Sequence, residues 1–238
     1  MQNMKRESLV GTHVKKVIAL CSVFLVLAAG SQSGLAAAGL EYTALDRYVH
    51  QPDSNYKYQV INTIDGEGYT TYIIEMTSQQ WLTEAEVNLP IWEHIMIVTR
   101  PDTVSSNTGF LYITGGDKFD EIPVAAPPTD IRRAIQSQTV VTTLFMVPNQ
   151  PLMFVGDDSR QRSEDETVAY TWDKYLRTGD EKWPLRLPMT KSAVRAMDTI
   201  TSLMADDNGN GIDVDRFVVA GGSKRGWTTW TTAVVDAR

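Results

Sequence analysis

Ten residues near the end of the chain, Phe217-Val218-Val219-Ala220-Gly221-Gly222-Ser223-Lys224-Arg225-Gly226, restrict the fold more than any other stretch. Their β-branched and aromatic start predicts a buried strand, and Gly226 to Ala233 predicts a helix. Between the two there are only glycines, one serine and two basic residues. A strand passing straight into a helix brings the two backbones together, so small residues must flank the corner. Gly221 meets that need two residues before Ser223 and Gly226 three residues after, with Gly222 inside the bend. Ser223 is then a candidate nucleophile, and the backbone N–H of Lys224 a candidate oxyanion donor. Arg225 stands where G-x-S-x-G has its second glycine. On spacing alone, a Gly-Gly-Ser turn without chemistry accounts for the stretch equally well.

The preceding chain supplies the rest of a sheet. Tyr56 to Ile64 and Tyr69 to Thr77 read as strands joined by a hairpin turn at Asp65-Gly66-Glu67-Gly68. Trp92 to Thr99, Phe110 to Thr114 and Thr139 to Val147 read as further strands, the last with the pattern of one covered on both faces. Helices alternate with the later strands. Thr129 is expected to cap a short helix carrying Ile131, Ala134 and Ile135. Ser163 and Glu166 spell a capping box, followed by Val168, Trp172, Tyr175 and Leu176 at helical spacing. Pro184 and Pro188 interrupt the chain, and Lys191 to Met204 predicts an amphipathic helix. Hairpin strands followed by strand–helix alternation predict an α/β fold, a mostly parallel sheet with an N-terminal antiparallel hairpin.

The first 38 residues read as a targeting segment. Lys5, Arg6, Lys15 and Lys16 precede an apolar run from Val17 to Ala29, and small residues end at Ala36-Ala37-Ala38. That order describes a cleavable signal peptide, with cleavage expected after Ala38, and the run falls short of the roughly 20 residues that cross a bilayer. A secreted or periplasmic protein without membrane attachment after cleavage is therefore expected. Residues 39–238 carry no cysteine, which excludes disulfides and thiolate zinc sites. With +3 in the leader and −7 overall, they also carry about −10, and no basic cluster offers a nucleic-acid footprint.

Other chemistry is thinner. Gly115-Gly116 follows a strand and precedes a helix, where a second oxyanion donor is expected, although an ordinary turn fits those two residues as well. His94 shares a strand face with Trp92, Met96 and Val98 and reads as a packed core residue; His50 reads as a surface one. Asp206, Asn208, Asn210 and Gly211 begin like a calcium loop, but Phe217 occupies the position of the bidentate glutamate, so a hydrated turn is expected and no metal. Asp157, Asp158, Glu164, Asp165 and Glu166 read as a solvated acidic face rather than metal ligands. Trp227 and Trp230 share a helix face, either lining a pocket or packing under the sheet. Lys224 and Arg225 either recognise an anionic substrate group or serve the corner, Lys224 through its backbone and Arg225 through a salt bridge.

The stretch from about Leu45 onward resembles the PhoPQ-activated pathogenicity-related family. The resemblance rests on Trp92-Glu93-His94, Thr114-Gly115-Gly116, Glu164-Asp165-Glu166 with Ala169-Tyr170-Thr171-Trp172, and Trp183-Pro184 with Leu187-Pro188-Met189-Thr190-Lys191. Ala193 to Asp198 and Gly222-Ser223-Lys224-Arg225-Gly226-Trp227 complete it. It implies an α/β-hydrolase-type scaffold with Ser223 at the nucleophile position and no cofactor, acting on an unidentified small-molecule or peptide substrate. It extends to secreted proliferation repressors of amoebae, so a non-catalytic signalling or virulence-associated role on the same scaffold is the alternative. In this fold the acid and histidine follow the serine, and no histidine follows Ser223 here. Residues 39–238 are accordingly expected to be the inactive N-terminal part of a longer domain, with Phe217 to Ala220 left as an aggregation-prone edge. The oligomeric state stays open.

Overall fold

The computed structural model describes residues 42–157 and 159–238. The expected signal peptide, its cleavage point and Asp158 lie outside the described residues. The chain opens with helix α1 (Ala44–His50), then strands β1 (Lys57–Gly66), β2 (Tyr69–Gln80), β3 (Ile91–Pro101) and β4 (Thr108–Ile113). Helix α2 (Pro128–Ser137) leads to β5 (Val141–Leu144), followed by helices α3 (Glu164–Thr178) and α4 (Arg186–Ala205). Strand β6 (Arg216–Gly221) and helix α5 (Lys224–Val235) complete it.

The six strands form one sheet in the order β1-β2-β3-β5-β4-β6. β1, β2, β3 and β5 pair antiparallel, whereas β5–β4 and β4–β6 are parallel. The α/β class holds, and the antiparallel part reaches beyond one hairpin, through β3 to its pairing with β5. This mixed sheet, with its crossover at β4 and β5 and its strand-to-helix corner after β6, is of the α/β-hydrolase type.

Strand β3 shows how the layers form. Trp92, His94, Met96 and Val98 alternate onto the face that meets α4, while Ile95, Ile97 and Thr99 point the other way, and all seven are buried. α2 covers that second face, with Asp130 accepting a hydrogen bond from Thr143 of β5 at 2.7 Å. Each fully buried aliphatic side chain here contributes about 1.5–3 kcal/mol. Trp81, Trp92, Phe154, Tyr170 and Trp183 gather into an aromatic cluster, with Phe154 and Tyr170 stacked 4.3 Å apart.

Several local expectations change. β5 is four residues long rather than running from Thr139 to Val147, though it is covered on both faces as expected. Pro127, not Thr129, holds the cap position of α2; Pro128 starts the helix, where a missing N–H costs nothing. The Ser163–Glu166 box does not form. Glu166 is drawn to Arg160 at 2.6 Å, and Gln150 Oε1 accepts from the Glu164 N–H at 2.9 Å instead. A working box sits at α1, where Thr43 and Asp46 cap each other. In α3 the buried residues are Thr167 and Thr171, while Leu176 is exposed. α4 begins five residues before Lys191 and takes Pro188 into its first turn, where proline is tolerated. Fifteen of its twenty residues are buried, so it is a core helix rather than an amphipathic one. Lys191 is among them, its ammonium donating to the carbonyls of Tyr48 and Gln51.

β6 is the edge of the sheet among the described residues, paired only with β4. It is less buried than the strand expected: Phe217 and Val219 pack against the core from one face, while Val218 on the other is 55% exposed.

Candidate active site

β6 ends at Gly221 and α5 starts at Lys224, so two residues turn the chain. Ser223 makes the turn at φ 53°, ψ −122°, a conformation that L side chains rarely adopt. A Cβ on Gly221 would lie 2.8 Å from the Arg225 carbonyl, and one on Gly226 would lie 2.9 Å from the Gly221 carbonyl. Strand and helix therefore touch through those two glycines. Gly222 is different: a Cβ there meets nothing, so the bend does not require it.

The Ser223 side chain is exposed, and its hydroxyl has no hydrogen-bond partner among the described residues. The Lys224 N–H likewise takes no acceptor there and points out of the first turn of α5, the positive end of the helix dipole. Ile113 of β4 pairs with Gly221 of β6. Gly115 and Ser223 each stand two residues beyond that pair, so their loops leave from one level at the carboxyl ends of adjacent parallel strands. Ligands of open α/β sheets bind at such ends. Gly116 has φ 124° and needs to be glycine for that reason.

Arg225 explains its own presence at the second glycine position. Its side chain turns away from the corner and lies against Gly115, where any Cβ would collide with the guanidinium. There it donates to the Val147 carbonyl at 2.7 Å and to Glu164 at 2.5 Å. The Lys224 ammonium is also engaged, with Glu164 and with Asp165 at 3.0 Å. Both basic side chains serve the corner, Lys224 through its ion pairs as well as its backbone. Burial pushes the Glu164 carboxyl up, but hydrogen bonds from Lys224, Arg225 and Gln150 outweigh it and hold the pKa below the ordinary value. From the opposite side, buried Arg186 donates to the Lys224 carbonyl at 2.5 Å.

The remaining candidates fall into place around this corner. His94 is buried as expected, bonded to Ser78 and Ser192, and burial lowers its pKa to about 4. His50 is exposed on α1. Neither is hydrogen-bonded to Ser223. The acidic stretch is solvated, with Asp165 and Glu166 exposed, and it is also ion-paired: Asp157 with Arg162, Glu166 with Arg160, and Glu164 and Asp165 with the corner. Asp206 closes its turn by accepting from the Asn208 and Gly209 N–H groups. Trp227 and Trp230 do not pack under the sheet. Trp230 is 76% exposed, and Trp227 covers Arg186 at 4.1 Å, lining a groove of about 260 Å³ with Trp172, Tyr175 and Leu187. A second cleft, of about 380 Å³, opens beside Met146 and Asp120, the neighbours of Gly116. Ser223 lines neither cleft.

Sequence reasoning missed Glu164 and Gln150 as parts of this corner. The only signal was a lone acidic triplet, which carries no information about what faces it across 60 residues of chain.

A family model described as PhoPQ-activated pathogenicity-related protein matches residues 45–238. The chain is 40% identical over 203 residues to autocrine proliferation repressor protein A of Dictyostelium discoideum, covering 84% of this chain and 40% of that protein. The chain thus spans about 40% of the length of the curated relative it matches. Among solved structures it is similar to a glucuronoyl esterase from Solibacter usitatus, at 13% identity and a TM-score of 0.49 over 82% of this chain and 54% of that one. An acetyl xylan esterase from Paenibacillus sp. R4 is similar at 14% identity and a TM-score of 0.47, over 82% and 53%. Likenesses this distant bear on neither substrate nor activity.

Proposed function

This chain belongs to the PhoPQ-activated pathogenicity-related protein family, and from that footing we propose that the full-length protein is an exported serine hydrolase of the esterase or peptidase class. One observation carries the reading: Ser223 is held at positive φ on a two-residue strand-to-helix corner, with its hydroxyl exposed. Strain of this kind persists where the surroundings enforce it, and it gathers at functional sites. The Ser223 Oγ attacks a substrate carbonyl and gives up its proton to a base. The oxyanion so formed is received by the Lys224 N–H and by the N–H groups at Gly115 and Gly116. Collapse of the intermediate expels the alcohol or amine and leaves an acyl-serine, which water then cleaves. The base and its acid come from outside the described residues. The test is fluorophosphonate labelling of the full-length protein. Labelling that persists in Ser223→Ala sinks the assignment.

The 40% identity to an autocrine proliferation repressor favours a second reading, a secreted signalling protein that keeps the scaffold without turnover. It predicts no labelling of the wild type and no histidine downstream of Ser223 in the full-length protein. Export, common to both readings, is checked by N-terminal sequencing of the secreted protein, expected to begin at Gly39.

A further inference from the structure

Glu164 is the first residue of α3, yet it adopts φ 53°. Three donors from two distant segments converge on its carboxylate. Lys224 Nζ and Arg225 Nη2 come from the corner helix, and Gln150 Nε2, at 3.1 Å, comes from the segment after β5. Gln150 answers reciprocally, its Oε1 accepting from the Glu164 N–H at 2.9 Å. The same Gln150 Nε2 donates to the Gly116 carbonyl at 3.0 Å. Arg225, fixed by Glu164 and by the Val147 carbonyl, fills the space that Gly115 leaves by having no side chain. Each segment offering a candidate oxyanion donor is therefore anchored to one carboxylate: Lys224 directly, Gly116 through Gln150, and Gly115 through Arg225.

A cluster that merely stabilises the fold is the simpler account, and two facts weigh against it. The Glu164 carboxylate is itself 36% exposed, so solvent screens its pairs with the more buried Lys224 and Arg225. Positive φ on a glutamate is costly, and strain of this kind persists where the surroundings enforce it and gathers at functional sites. What the arrangement secures is geometry, since oxyanion donors act only if both reach the same atom.

We infer that Glu164 is a positioning residue that sets the spacing between the Lys224 N–H and the Gly115–Gly116 N–H groups, so that both reach one oxyanion. The inference rests on the Ser223 reading. It is tested in the full-length protein by the rate of fluorophosphonate labelling, separated into probe binding and the bond-forming step. In that step Ser223 Oγ bonds to phosphorus and passes its proton to the base, the P–F bond breaks with fluoride leaving, and the phosphoryl oxygen occupies the oxyanion position. Glu164→Gln lowers the bond-forming rate about 10- to 100-fold, with probe affinity changed less than about 3-fold. Glu166→Gln, on the same helix as Glu164, removes the ion pair with Arg160 and leaves both unchanged. Should Glu164→Gln not fold, Gln150→Leu severs the tie to Gly116 while keeping the ion pairs, and it slows the same step. Wild-type labelling with an unchanged bond-forming rate in the folded Glu164→Gln or Gln150→Leu variant overturns the inference and leaves the hydrolase reading standing. Absence of any wild-type labelling overturns both.

Discussion

Two serine-bearing clusters in this molecule invite opposite conclusions. In the core, Ser78 and Ser192 lie 2.9 and 3.0 Å from His94 Nε2, and Gln79 donates to both hydroxyls. By distance alone that resembles a nucleophile with its base. At the corner after β6, Ser223 has neither a histidine nor any other hydrogen-bond partner among the described residues. Yet the core histidine is 1% exposed, donates its Nδ1 proton to the Phe145 carbonyl at 3.2 Å, and is held neutral by burial. The polar groups there join β2, β3 and α4 to one another and to α1 and the segment after β5. Ser223 is exposed and strained, and the N–H of the next residue, Lys224, takes no acceptor among the described residues. A reactive serine is distinguished by what its surroundings leave free, not by the nearness of an imidazole.

The largest effect that would invert this contrast concerns labelling. Ser223→Ala should reduce fluorophosphonate labelling of the full-length protein to background, while Ser78→Ala and Ser192→Ala keep the wild-type rate within about 2-fold. Loss of labelling in Ser78→Ala alone would move the active centre to the core. Next comes stability. His94→Ala leaves a cavity and stranded hydroxyls and should cost on the order of 3 kcal/mol in urea unfolding. Glu164→Gln should cost less, about 1–2 kcal/mol, because its carboxylate is partly exposed while the Lys224 and Arg225 it pairs are mostly buried.

The pH dependence separates the clusters further. The His94 pKa falls from 6.5 to about 4 on folding, so the unfolded chain binds the extra proton between those values. Its contribution is complete above pH 6.5 and is lost as pH falls towards 4, about 2 kcal/mol between pH 7 and 5. Glu164 is also shifted down, but from 4.5, so its contribution is lost only at pH below that. Unfolding curves of His94→Gln should lack the higher window and keep the lower one. The smallest effect compares two caps. Thr43→Ala should cost about 1 kcal/mol, because that cap is made, and Ser163→Ala within about 0.5 kcal/mol, because that one is not.

Much of the sheet was legible because its signals are local. β1 and β2 were found with their turn, β6 to within a residue, and His94 was placed on the face it occupies. The Ser223 corner was legible for the same reason, since a strand, two contact glycines and a helix lie within a few residues. The misread features had two competing solutions of similar local merit. Ser163 and Glu166 spell a cap, but Arg160 and Gln150 offered better partners. Leu176 fits a helical stripe, yet α3 buries Thr167 and Thr171 instead, because its position beside the aromatic cluster decides which face is covered.

The sequence by itself determined the corner and the α/β alternation, because glycine contacts, β-branched runs and helical spacing act over a few residues. Only the tertiary structure decided that Glu164, 60 residues from Lys224, closes on it, and that the buried His94 takes Ser78 and Ser192 as its partners. Those outcomes depend on which groups face one another across the packed layers. Long-range electrostatics and desolvation are set by that packing and leave no pattern in the chain.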